Sequence, residues 1–352
     1  MEPNELSSLT TRLREKSDLD RNHIQTAIDL LIQEDGDASS KADFLVALAD
    51  KGESQQEITH FVSIFRELAK NPELEEFAPR AIDLCGTGGD KAGSFNVSTF
   101  VSFVIASAGV PVIKHGNRSI SSKCGSADLL EAIGIPLEPE LSRIQEGLKQ
   151  LNFAFLFAPS FHPAFKHVAP VRKELAARGI ITIFNRLGPM INPARPAFQL
   201  LGVYDPLYIE KMGQALKGNG LTGALIGHGK IQGEENSRVD ELTACGENLV
   251  FGFGEISTSQ TESWHPDKWG MKTHPFEDLA GGDLARNLQI MRSLLDGEGP
   301  DGLRATIAMN ASVAFRTCGK TKSLEEGLEL TQTLISDGKV KEWVDQVSSF
   351  YA

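Results

Sequence analysis

Residues 81–126 restrict the fold more than any other part of the chain. Residues 81–85 form a short apolar run, and a glycine turn follows, Gly86-Thr87-Gly88-Gly89-Asp90. Asn96 opens a second apolar stretch, residues 97–108, which closes at Gly109. Residues 110–113 are apolar again, and a polar, basic loop is expected from Lys114. The spacing predicts strand, glycine loop, helix, strand and basic loop. That layout builds an anion site twice over. A helix N-terminus offers free N–H groups and partial positive charge. Glycines let the backbone come close to an oxyanion.

The same alternation continues downstream. Strands are expected at 153–157, 180–184, 199–203 and 224–227. Helices are expected at 126–133 (capped by Ser126), 141–151, 163–178, 207–216, 283–295, 302–318, 323–335 and 340–350. Repeated strand–helix units imply an α/β fold with a mainly parallel central sheet flanked by helices. Residues 228–275 show no clear period. Residues 1–70 read differently, as a smaller, all-helical N-terminal domain. Leu6, Leu9 and Leu13 share a face, and Asp18, then Ser39 or Ser40, then Ser54 are expected caps of the following helices. Residues 71–80 carry two prolines and three glutamates and read as a hinge or linker. The α/β domain would then span 81–352, with helix 163–178 expected to pack against the helical domain.

Charge narrows the ligand class. The net charge of −12 argues against a nucleic-acid-binding surface. Within residues 86–126 the balance reverses, since Lys91, Lys114, Arg118 and Lys123 face only Asp90. A small anionic ligand held locally fits that contrast. Cys85, Cys124, Cys245 and Cys318 form no CxxC pair, so neither a zinc site nor a disulfide framework is indicated. The first 13 residues are polar and charged, and no apolar run reaches membrane-spanning length. A cytoplasmic protein is expected.

The glycine loop is neither of the common nucleotide loops. No Gly-Lys-Ser/Thr follows Gly86 at Walker A spacing, and Lys91 stands where the third glycine of GxGxxG would fall. Asn96, Ser98 and Thr99 put three hydrogen-bonding side chains on the first turn of an otherwise apolar helix. Residues 114–123, KHGNRSISSK, bring three cations, an amide and three hydroxyls to the carboxyl end of a strand.

GTGGD, the following N-x-S-T and KHGNRSISSKCGSADLLEAIG together resemble the anthranilate phosphoribosyltransferases. FHPAFKHVAPVRKEL (161–175), FNRLGPMINPARP (184–196), VDELT (239–243) and AGGD (280–283) fit the same family, so the resemblance spans essentially the full length. It implies a nucleoside phosphorylase/phosphoribosyltransferase-like fold. It implies transfer of the ribosyl C1 of phosphoribosyl pyrophosphate (PRPP) to the amine of anthranilate, in tryptophan biosynthesis. By the same resemblance, PRPP would meet Gly86, Gly89, Asp90, Ser94, Asn96, Val97, Ser98, Thr99, Lys114, His115, Gly116, Asn117, Arg118, Ser119, Ile120, Ser121, Ser122 and Ser126. Anthranilate would meet Gly86, Asn117 and Arg172, whose planar fork suits a carboxylate. Ser98, Asp240 and Glu241 would hold magnesium, two ions per subunit. A homodimer through the helical domain is implied, with no nucleic-acid or membrane partner. No general base is assigned, because an aromatic amine is unprotonated at neutral pH.

Three departures keep alternatives open. Lys91 follows GTGGD, Arg186 interrupts FNRLGP, and KIQGEENSRV (230–239) precedes the carboxylate pair, making Glu234 and Glu235 rival ligands. A relative using another nitrogen acceptor, or a non-catalytic nucleic-acid-binding relative, therefore stays in view.

Overall fold

Four amphipathic helices open the chain: α1 (Glu5–Arg14), α2 (Arg21–Leu31), α3 (Ala38–Lys51) and α4 (Gln55–Glu67). The computed structural model describes residues 5–88, 93–118, 124–234 and 238–352. Leu6, Leu9 and Leu13 are buried as their spacing requires. Two of the expected caps move. Asp20, not Asp18, accepts from His23 N at 2.9 Å, and Asp37, not Ser39 or Ser40, accepts from Ser40 N at 2.7 Å. An N-cap must lie just ahead of the free N–H groups it satisfies. Asp18 is recruited elsewhere, by Lys51 Nζ at 2.6 Å. Ser54 caps α4 as expected, in a reciprocal box with Glu57.

The sheet runs β3 (Phe153–Phe157), β2 (Val112–Gly116), β1 (Ile82–Gly86), β4 (Phe198–Gly202), β5 (Gly223–Lys230), β7 (Asn248–Phe253) and β8 (Glu262–Trp264), with β6 (Arg238–Val239) beside β5. β1 to β5 pair in parallel, and β6 to β8 add antiparallel pairs. Helices α5 (Val97–Ser107), α6 (Ser126–Ala132), α7 (Leu141–Leu151), α8 (Ala158–Phe161), α9 (Ala169–Ala177), α10 (Ile183–Leu187) and α11 (Ile209–Gly218) connect the parallel strands. After the sheet come α12 (Leu284–Leu295), α13 (Asp301–Thr317), α14 (Leu324–Ser336) and α15 (Lys339–Tyr351). The expected α/β architecture with an N-terminal helical part is what forms.

Alternation along the strands divides the core between two faces. Leu200, Leu225 and Val250 join α5, α13 and α15 in one cluster. Leu201, Ala224, Ile226 and Phe251 join the other, which is continuous with α1 to α4 and with α9 to α11. Residues 71–80 pack onto a third cluster, with Ile113, Leu148 and Leu156. Leu74 and Phe77 are buried, and Ala197 N donates to Ala78 O at 2.8 Å.

Several element expectations are corrected. Residues 180–184 form no strand. Asn185 closes a turn on Thr182, its Oδ1 accepting from Thr182 N at 2.9 Å, and α10 follows. The expected helix 163–178 starts as a 3-10 turn, Pro163–His167, and restarts at α9. Pro170 has no N–H to give and fits only a first turn. Gly125, not Ser126, occupies the cap position of α6, with Gly125 N donating to Asp128 Oδ2 at 2.8 Å. β2 extends to Gly116, so Lys114 and His115 belong to a strand rather than to a loop. Among the described residues no helix is long and apolar enough to cross a membrane.

Candidate active site

The strand ends meet at glycines. β1 ends at Gly86, β2 at Gly116 and β4 at Gly202, with Gly86 opposite Gly202 in the parallel register. This is the carboxyl edge at which open α/β sheets bind ligands. Successive side chains of β2 then open to opposite faces. Lys114 points toward α5, where Nζ donates to Leu84 O and lies 3.4 Å from Ser98 Oγ. His115 points the other way, with Nδ1 donating to Gly188 O at 3.2 Å.

On the Lys114 side the glycine loop and the Asp240-Glu241 pair come together. Asp240 Oδ2 accepts from Gly88 N at 2.6 Å. A cleft beside the pair is lined by Leu84, Ser98, Gly202, Asp240, Glu241 and Asn310. Lys114 as a whole is 2% exposed. Burial lowers its pKa, while Asp83, Cys85 and Glu241 act against that loss of charge. Asn96 sits at the cap position of α5 but spends its side chain laterally, accepting from Thr99 Oγ1 at 2.7 Å. Val97 is buried, and Ser94 bridges to Ala280, which docks the AGGD segment on this loop. Of the rival carboxylates, Glu234 is exposed. Glu235 lies outside the described residues, as do Gly89, Asp90, Lys91, Ser119, Ile120, Ser121, Ser122 and Lys123. Among the described residues no three His, Cys, Asp or Glu side chains gather as a metal cluster.

Close approach explains two of the glycines. A Cβ on Gly86 would lie 2.2 Å from Asp240 Oδ2, and one on Gly202 only 1.4 Å from Asp240 O. The second obstacle is backbone, which cannot rotate away. Gly202→Ala is therefore expected to destabilise the protein by about 3 kcal/mol, the upper range for overpacking, and to displace the carboxylate pair. Urea unfolding checks the first half of that expectation, and a crystal structure of the variant checks the second.

The His115 side is aromatic. The His115 and His162 rings lie 5.1 Å apart, and His162 lies 5.6 Å from Phe165. Phe165 meets Phe184 at 5.4 Å and Phe65 of α4 at 4.7 Å. Burial pushes His115 down to about 3 and His162 to about 4, so both rings are neutral at neutral pH. Neither Nε2 has a hydrogen-bond partner among the described residues. Arg172 on α9 is half-buried, with its guanidinium 5.2 Å from the Phe184 ring and 5.8 Å from that of Phe165. Burial lowers its pKa. Among the described residues it forms no ion pair. Glu174 pairs with Arg178 at 3.4 Å, and Glu342 with Lys339 at 2.8 Å.

Two expected residues point elsewhere in part. Arg118 is half-exposed and holds Asp128 and Glu131, each at 2.8 Å. Asn117 Oδ1 accepts from Arg118 N at 2.8 Å, and Ser126 Oγ donates to Asn117 O at 3.4 Å. These contacts tie Asn117 and Arg118 to α6.

A buried polar network under the site goes beyond the sequence reading. Asp83 accepts from His115 N at 3.3 Å and from Asn192 Nδ2 at 2.9 Å. Gln199 Nε2 donates to Pro189 O at 2.6 Å, and Arg66 Nε to Met190 O at 2.9 Å. Burial raises Asp83 to about 6 against the pull of Lys114 and these donors. Consecutive carbonyls from Gly188 to Met190 are thus held by β2, β4 and α4 in turn. The available signal is one charge inside an apolar strand, which must find partners when buried.

Two family models match the chain: the helical bundle domain of a glycosyl transferase family over residues 7–69, and its a/b domain over residues 78–341. The anthranilate phosphoribosyltransferase of Petrotoga mobilis is 38% identical over 333 residues, covering 94% of this chain and 93% of the relative. That of Deinococcus radiodurans is 40% identical over 299 residues, 84% of each. The crystal structure of anthranilate phosphoribosyltransferase from Thermus thermophilus superposes with a TM-score of 0.87 at 37% identity, covering 97% of this chain and 99% of that one. The Saccharomyces cerevisiae enzyme in complex with PRPP and Mg shares the fold, with a TM-score of 0.81 at 24% identity over 98% of this chain and 97% of that one.

Proposed function

The chain belongs to the anthranilate phosphoribosyltransferases, and we propose from that premise how it moves the 5-phosphoribosyl group of PRPP to the amine of anthranilate, releasing pyrophosphate in tryptophan biosynthesis. The observation that carries the reading is the division at β2. Lys114 opens toward the glycine loop and the Asp240-Glu241 pair, and His115 toward the aromatic wall that holds a guanidinium with no ion-pair partner among the described residues. One side suits a polyanion, the other an aromatic carboxylate.

On this reading PRPP lies along Gly86, Ser94, Asn96, Ser98, Thr99 and Lys114, with the residues through Ser122 and Ser126 completing its site. Bond breaking at C1 builds oxocarbenium character on the ribose and charge on the departing pyrophosphate. Lys114 and the backbone N–H groups at the start of α5 meet that charge, and pre-aimed donors of this kind supply the largest catalytic effects. Arg172 takes the anthranilate carboxylate by a charge-assisted pair. Asn117 and Gly86, at neighbouring strand ends, border both substrates. The neutral amine attacks without a general base.

Ser98, Asp240 and Glu241 are hard oxygen donors lining one cleft, a set that fits Mg²⁺. With few protein ligands, such a site leaves the remaining positions to water and phosphate oxygens, and we assign two ions per subunit. When bound, the metal neutralises pyrophosphate charge. We also propose two domains meeting at 71–80, a homodimer through the helical domain, and a reducing cytoplasm in keeping with four free cysteines.

Purified protein mixed with anthranilate, PRPP and Mg²⁺ is expected to consume anthranilate fluorescence and release pyrophosphate in equal amounts. No turnover of these substrates would overturn the reading.

A further inference from the structure

Arg186 interrupts an apolar motif, yet it does not face the aromatic wall. It lies on α10, and its Nη1 donates to Glu53 Oε1 and Oε2 at 3.2 and 3.4 Å. Glu53 is fully buried, in the loop between α3 and α4. The Arg186 guanidinium stacks on Tyr208 at 3.8 Å, and Tyr208 Oη donates to Glu53 Oε2 at 2.6 Å. Lys211 Nζ adds a bond to Glu53 O at 2.8 Å. The Glu53 carboxylate of the helical bundle is therefore satisfied by two side chains of the α/β part, and a third holds its main-chain carbonyl.

What Arg186 holds in place explains why this joint matters. α10 has five residues, too few to fix its own position. Two residues before Arg186, Phe184 presents its ring to Arg172 at 5.2 Å. Two residues after it, Gly188 O accepts from His115. We propose that Glu53 and Arg186 are positioning residues for the acceptor substrate. The pair sets where α10 lies, and through Phe184 and Gly188 it sets the wall against which anthranilate binds. Acceptor affinity then depends on a bundle residue that touches neither substrate. This inference rests on the acceptor-side reading of Arg172 above.

The test compares Arg186→Met, Glu53→Gln, the double variant and Arg186→Lys in initial-rate kinetics, with thermal melting alongside. Each single change leaves a buried charge or dipole unpaired and can fail to fold; the double variant removes both charges at similar volume. Misplacing the wall by a fraction of an ångström is expected to raise KM for anthranilate about tenfold, with KM for PRPP within about twofold. The double variant should resemble one single variant rather than their product, because the two residues act as a unit. Arg186→Lys should recover part of the loss. A folded double variant with wild-type KM for anthranilate, or equal changes in both KM values, would overturn the proposal. Wild-type protein inert toward anthranilate would instead sink the functional reading itself.

Discussion

Lys114→Met is expected to lower kcat/KM for PRPP by about two to three orders of magnitude, the usual loss when one pre-aimed donor is removed. KM for anthranilate should stay within about twofold. The reason is the direction of the side chain. Lys114 sits near the end of β2, 2% exposed, and its ammonium reaches Leu84 O and the neighbourhood of Ser98. Burying an ammonium is costly, and burial does lower its pKa here. Such a cost is retained where a polyanion repays it. Met keeps the stem and the volume while removing the charge, so packing beside α5 survives. Initial rates with each substrate varied at saturating levels of the other separate the two sides. Melting curves show that the variant is folded. Parallel losses for both substrates would mean that Lys114 supports the whole strand end rather than the donor.

That asymmetry was only half legible in the sequence. The residue types in KHGNRSISSK announce an anion site, but their register does not follow from composition. Placing the strand at 110–113 leaves Lys114 and His115 in one loop with one task. The observed β2, Val112–Gly116, puts both within a strand, and period-two alternation then parts them. Local cap choice fails for a similar reason. Asp18 and Asp20 are equally good caps by type; the helix start at Arg21 selects Asp20, and Asp18 is taken up by Lys51, 33 residues away. Residues 180–184 read as a strand because a short apolar run carries no period of its own. The Thr182–Asn185 turn makes it a helix, and through Arg186 the bundle holds it there. The long helices are legible because their apolar spacing is local information. The partner of Asp83 is not, since Asn192 lies 109 residues downstream.

The second large effect belongs to the acceptor. Arg172→Ala is expected to lower kcat/KM for anthranilate by about two orders of magnitude, the scale of a lost charged hydrogen bond in a half-buried site. KM for PRPP should move little. A guanidinium flanked by Phe165 and Phe184, with no carboxylate paired to it among the described residues, has lost part of its hydration without repayment inside the protein. An aromatic acid repays it twice, with a carboxylate in the fork and a ring beside the two phenylalanines. Aniline supplies the amine and the ring but no carboxylate. Wild type and variant should therefore differ by less than about threefold with aniline, measured by pyrophosphate release, while differing about a hundredfold with anthranilate. Arg172→Lys should recover little, because a point charge cannot fill a planar, two-pronged contact. Equal losses with both acceptors would show that Arg172 acts by packing against Phe184 and not by reading the carboxylate.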